Sequence, residues 1–273
     1  MKEKKSVVTS VLLFLGNVFM LLPLYLMFVG SLKTNKAMMG IPPDFNLFGE
    51  LTLDNFRYVF ERSDILQWLL NSFIISGGTA LLTVLVASMA GYSFAKIRFR
   101  GKNLLFSIVI ATMIMPRQIL VIPNFLVADS LNLTNKIIGV ILTSVMPAFG
   151  IFLCRQFMQT IPSSLMDAAE IDGCTEFRKF WNIIVPLSLP AMASVGVLSF
   201  FTTFNDYLWQ LVMLSDPSLQ TLPNGIALFS QKMVANNGAK FAAATIATVR
   251  LVILFLCCQK FFIKGITMGG VKE

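Results

Sequence analysis

Histidine is absent from all 273 residues of the chain. That removes the commonest general base and metal ligand, and it weighs against a membrane enzyme or a metal centre. Charge is scarce too: Asp, Glu, Lys and Arg make up 13% of the residues, about half the share in a soluble domain. A phosphate-cradling G-x-x-x-x-G-K-[ST] loop is missing, because Gly101-Lys102 is followed by Asn103 and has no glycine five residues before it. Any nucleotide hydrolysis must therefore come from another chain. The basic residues form no run interleaved with aromatics, so the net charge of +8 does not point to nucleic acid. The four cysteines, Cys154, Cys174, Cys257 and Cys258, read as reduced thiols rather than a disulfide framework.

What the chain has in excess is apolar surface, with 56% hydrophobic residues against about 45–50% in a soluble domain. Surface-to-volume scaling does not let a soluble fold of this length hide that excess. Six membrane helices of about 20 residues would absorb about 120 such residues. The runs poor in charge predict an all-α, polytopic membrane protein, a single transmembrane domain over 1–273. Its six spans are expected at about 7–32, 66–95, 104–127, 137–154, 187–214 and 241–260. The first run is longer than a signal-peptide core and lacks a small-residue cleavage site, so it reads as a retained anchor.

Cation placement sets the orientation. With the N-terminus inside, thirteen Lys and Arg fall on the inner side and seven on the outer, and Arg117 and Arg250 lie within spans. The 96–102 connection is the clearest case, with Lys96, Arg98, Arg100 and Lys102 and no acid. The positive-inside rule then places both termini in the cytoplasm of a multi-pass cell-membrane protein.

The connection 155–185 is too patterned for a linker. Ser164-Leu-Met-Asp167 has capping-box spacing, with Ser164 as expected N-cap. A short helix should follow through Asp172 and stop at Gly173, which suits a left-handed C-terminal residue. A second helix should restart at Thr175, with Phe177, Phe180, Trp181 and Ile184 on one greasy face and Arg178, Lys179 and Asn182 elsewhere. One reading is an interfacial helix on lipid headgroups. The acids Asp167, Glu170, Asp172 and Glu176 disfavour that, since adsorbed helices carry basic polar faces. They fit a helix seated in a groove on a partner, where Ala168 and Ala169 allow close approach.

Asp167-Ala-Ala-Glu-Ile-Asp172-Gly173-Cys174, followed by Phe180, Ile184, Pro186 and Pro190, resembles the EAA loop of ABC importer permeases, with Asp167 and Cys174 in place of the usual glutamate and alanine. The stretches Ser31-Leu-Lys33-Thr34, Leu53-Asp-Asn55-Phe56, Asn71-Ser72, Ala90-Gly-Tyr92-Ser-Phe94-Ala95, Phe204-Asn205-Asp206-Tyr207-Leu208-Trp209 and Gln259 to Gly265 are similar to the carbohydrate-uptake branch. Within it the chain is most similar to the shorter, maltose-type permease of the heterodimer. The resemblance implies a type I importer permease fold and a carbohydrate cargo: a sugar, an oligosaccharide, or a related polyol or acidic sugar. It also implies a second permease, two copies of an ABC ATPase and an extracellular solute-binding protein as partners. The chain itself would bind no cofactor and carry no catalytic or metal site, ATP-Mg being used by the ATPase. Asp167, Ala168, Ala169, Glu170, Asp172 and Gly173 would transmit the ATPase stroke, and the two permeases would alternate between inward- and outward-facing states.

Polar groups inside spans are costly and tend to be functional. Asn205, Asp206 and Trp209 lie midway along the fifth apolar run. They are expected either to line a sugar path, with Trp209 stacking on a ring, or to cap a helix break. Arg250, where the family has an uncharged residue, either faces the cavity and pairs with Asp206 or an anionic solute, or is an interhelical arginine. Arg117 follows Pro116 and reads as structural, near a kink. The 215–240 connection, with Pro217, Pro223 and Asn224-Gly225, reads either as a plain connector or as a binding-protein contact. A secondary transporter, or an ABC importer of another solute class, remains the alternative. The first would carry inverted repeats and ionisable relays, and no such repeat is visible.

Overall fold

The computed structural model describes residues 7–233 and 236–267, with side chains for 9–233, 236–257 and 259. The cations at Lys2, Lys4, Lys5 and Lys272, and the side chains of Lys260, Lys264 and most of the closing 259–265 stretch, lie outside the described residues. All regular structure among the described residues is helical. Among the described residues, four helices are long and apolar enough to cross a bilayer, or up to six if two bent pairs each count as one span.

The chain divides into two compact units. One comprises residues up to 66 together with 222–253. It holds α1 (Val7–Ser31), α2 (Asn35–Met39), α3 (Asp54–Arg62), α13 (Leu222–Lys232) and most of α14 (Asn237–Thr267). From Val11 to Phe28 α1 leaves large apolar side chains exposed, as a lipid-facing helix does. Two of the sequence stretches singled out above meet here. The buried Asn55 amide donates to the carbonyls of Ser31 (2.9 Å) and Lys33 (2.7 Å), and Lys33, also buried, pairs with Asp44 at 2.8 Å. The 215–240 connection is not merely loop, since α13 occupies its middle and buries Leu222, Asn224, Gly225 and Phe229. Pro223 sits in the first turn of that helix, where a missing N–H costs nothing.

The other unit comprises 67–221 and the tail of α14. It is built on α4 (Ile65–Lys96), a helix of 32 residues, about 48 Å long at 1.5 Å per residue. Then come α5 (Lys102–Thr112), a 3₁₀ turn at Arg117–Leu120, α6 (Val121–Ser130), α7 (Ile137–Ser144), α8 (Pro147–Gln159), α9 (Ser164–Ile171), α10 (Glu176–Lys179), α11 (Val185–Phe204) and α12 (Leu208–Met213). Glycines let these helices approach α4 closely. A Cβ on Gly78 would lie 2.8 Å from Ile141, and one on Gly91 would lie 2.6 Å from the Cys154 Cβ. A Cβ on Gly150 would meet Ala87 at 2.8 Å. Small residues at contacts are how helices pack where lipid gives no hydrophobic drive between them. The Ser199 hydroxyl also bonds Thr83 at 3.1 Å.

The expected spans differ from the helices in one respect. The third, 104–127, bends by 92° between α5 and the 117–130 segment, and the fourth bends by 49° between α7 and α8. The fifth is interrupted at 205–207, between α11 and α12. Pro116 and Pro147 each stand at a break and cannot donate the bond that would carry the preceding helix through.

Candidate functional site

The segment between α8 and α11 forms an elbow of two short helices. The N-cap of α9 is Ser163, not Ser164, and makes no side-chain cap bond. Its φ and ψ are already helical (−67°, −25°), whereas a capping oxygen reaches the amides from an extended residue. The C-terminus matches expectation. Gly173 has φ +72°, and its N–H and that of Cys174 bond back to Glu170 (3.0 Å) and Ala169 (2.9 Å), which is a Schellman closure. Thr175 caps α10 through the Arg178 amide at 3.4 Å.

The greasy face 177–184 is half correct. Phe180 and Ile184 are buried, but Phe177 is 67% exposed and Trp181 also faces outward. Phe180–Ile184 form a π turn, and its extra residue rotates the faces away from 3.6-residue spacing. Lys179, expected to point elsewhere, is 4% exposed. A buried ammonium needs partners, and it has two: Glu176 at 2.9 Å and Glu170 at 3.2 Å. Glu176 also accepts from the Tyr92 hydroxyl of α4 at 2.6 Å. The elbow is thus fastened from behind, α9 to α10 to α4. Nearby, Lys96 bonds the Ile161 carbonyl, and the Arg155 guanidinium lies 4.0 Å over the Phe106 ring. Ala169 and Met166 face inward, while Leu165, Asp167, Ala168, Ile171, Asp172 and Gly173 stay exposed. Ile171 is 88% exposed, which leaves α9 with an apolar and acidic outer face.

Toward the other end of the same helices is a cleft of about 670 Å³. The three breaks line it together: Met113 and Met115 from the first, Val145 and Met146 from the second, Asp206 from the third. Irregular backbone at membrane depth is tolerated where it lines a cavity, and interrupted helices mark substrate sites in transporters. Asp206 both caps a helix break and lines the cleft. One carboxylate oxygen accepts the Trp209 N–H at 3.1 Å, capping α12. The other lies 3.6 Å from Arg117, and both residues line the cleft. Trp209 is nearly buried, its indole N–H fixed to the Thr143 hydroxyl at 3.0 Å, so it is wall rather than stacking platform. Asn205 turns back to the Phe201 carbonyl at 2.8 Å and caps α11. Arg250 lies half-buried on α14, in the other unit. Sequence reading missed Gln118, Asn124, Thr143 and Thr202, which line the cleft as neutral polar groups. It also missed Gln210, whose buried amide donates to the Thr203 carbonyl at the break, at 2.6 Å.

Comparison with known proteins supplies the context for this geometry. Residues 83–268 match the family described as binding-protein-dependent transport system inner membrane component. The chain is 36% identical to the arabinooligosaccharides transport system permease protein AraQ of Halalkalibacterium halodurans, with all of both chains covered. It is 30% identical to the sulfoquinovosyl glycerol transport system permease protein SmoH of Agrobacterium fabrum, over 99% of this chain and 94% of that one. Among solved structures, a chain of a bacterial ABC transporter involved in import of the acidic polysaccharide alginate superposes with a TM-score of 0.82. It covers 94% of this chain and 95% of that one at 22% identity, a likeness of fold.

Proposed function

The chain belongs to the binding-protein-dependent transport inner membrane family, and from that premise we propose that it is one permease domain of an ATP-driven carbohydrate importer, half of an alternating-access pore. Its full-length relatives are named for arabinooligosaccharide and sulfoquinovosyl glycerol transport. In this reading six spans, counting each bent pair as one, carry both termini on the cytoplasmic side. A second permease, two copies of an ABC ATPase and an extracellular binding protein complete the machine, and ATP-Mg is bound and hydrolysed by the ATPase.

The observation that carries the reading is the elbow. The exposed face of α9, with Asp167, Ala168, Ile171 and Asp172, would sit in a groove of the ATPase, while Ala169 and Glu170 tie the helix to the body behind it. Closing of the ATPase dimer then moves α9, and the bonded chain Glu170–Lys179–Glu176–Tyr92 passes that motion to α4 as rigid-body displacement. Purification in detergent with the companion subunits tests this. The ATPase should stay with the wild-type permease pair and be lost from Asp172→Lys and Gly173→Val, the latter because a branched residue resists φ near +72°. Full ATPase retention by both variants would overturn the assignment of α9.

A further inference from the structure

Resting on the carbohydrate reading above, we propose that the cleft selects uncharged, hydroxyl-rich solutes, and that Arg117 and Asp206 set this selectivity. Each cancels the other's charge while keeping hydrogen-bonding groups free for the ligand. Of the described residues that line the cleft, these two alone are charged. The remaining polar lining, including Thr112, Gln118, Asn124 and Thr202, offers neutral donors and acceptors. The separation of 3.6 Å is long for a charge-assisted hydrogen bond, so neither group saturates the other. A guanidinium has five N–H donors, and Arg117 is partly exposed in the cleft. Sugar hydroxyls, which donate and accept alike, can bridge such a pair from the cleft side, accepting from Arg117 and donating to Asp206. A charged solute is attracted by one member of the pair and repelled by the other, so little net charge pairing offsets the cost of its desolvation, and a neutral solute is favoured.

The same pair also holds the break before α12, so the test must separate selectivity from scaffolding. Asp206→Asn keeps a capping oxygen for the Trp209 amide, since Asn and Asp cap equally well, yet it leaves Arg117 unopposed. Arg117→Gln leaves the carboxylate unopposed. The complete importer in nanodiscs, without its binding protein, is titrated with radiolabelled arabinotriose, trigalacturonate and the glucosamine trimer. Wild type should bind arabinotriose at least tenfold more tightly than either charged sugar. Asp206→Asn should gain at least tenfold for trigalacturonate relative to arabinotriose, and Arg117→Gln the same for the glucosamine trimer. A purely structural pair would lower all three affinities in proportion, and that result overturns the inference while arabinotriose binding by wild type keeps the carbohydrate reading intact. Wild type that binds none of the three sugars, with the ATPase still attached, overturns both together. If one variant fails to assemble, the other carries the same comparison alone.

Discussion

Lys33 and Asp44 meet at 2.8 Å between α1 and α3, the lysine buried and the carboxylate half exposed. The Lys33 bond, helped by the Asn46 amide, holds the Asp44 carboxyl below its ordinary value near 3.8. A carboxylate with a depressed folded pKa contributes stability above its unfolded pKa and loses it as pH falls through the folded value. Acid should therefore weaken this unit below about pH 4, and Asp44→Asn should flatten that limb of the stability curve. Thermal melts of the detergent-solubilised chain between pH 3 and 7 would show it, and an unchanged acid limb in the variant would refute it. Neither this pair nor the Asn55 clamp was legible beforehand. The motifs that contain Lys33 and Asn55 stood out only by resemblance, because a bond from a side chain to a carbonyl more than twenty residues away leaves no local spacing to read. Asp206 and Arg117 were conspicuous for the opposite reason, although the sequence read Arg117 as structural and the structure sets it in the lining of the cleft. A polar group inside an apolar run is conspicuous, whereas Thr143 or Thr202 in the same setting is not.

The elbow was mostly legible as an element, because the acidic α9, the glycine stop and the threonine restart are local signals. What the spacing missed was the π turn, which no 3.6-residue count anticipates, and with it the inward turn of Lys179. The consequence belongs to the element as a whole. Tyr92→Phe removes one hydrogen bond to a carboxylate, worth about 1.5 kcal/mol at a half-exposed partner, without disturbing the ring's packing on Phe180. The complex should stay assembled and hydrolyse ATP, but move less solute per ATP by severalfold. Parallel ATPase and uptake rates in proteoliposomes check this, and a ratio equal to wild type would show that Tyr92 takes no part in transmission. Lys179→Arg, which can keep both carboxylates, should retain more coupling than Lys179→Met.

For the whole molecule, composition was enough to give a helical membrane protein, because so apolar a chain has no soluble alternative. It did not reveal that three apolar runs are interrupted. Hydropathy averages over a run, and a break that faces a cavity keeps the same average as a straight helix. The orientation proposed above makes a direct forecast. On a cysteine-free background, Ile171→Cys should react with an impermeant maleimide only from the ATPase side, and Glu50→Cys, in the exposed stretch before α3, only from the opposite side. Labelling of both from one side would reject six crossings with this sense.

The positions of the breaks have a consequence for how such a protein diversifies. Pro147, Ala148 and Phe149, at one tip of α8, belong to the cleft, while Arg155 and Met158, nearer its other tip, belong to the packing around the elbow. Likewise Thr202 and Val185 lie near opposite tips of α11. In the proposed reading, cargo preference and motor grip are thus written on separate ends of shared rods. A lineage can retune what it carries by editing a few interhelical turns and keep the same engine, and a chimera exchanging only those turns should inherit the donor's appetite with the recipient's drive.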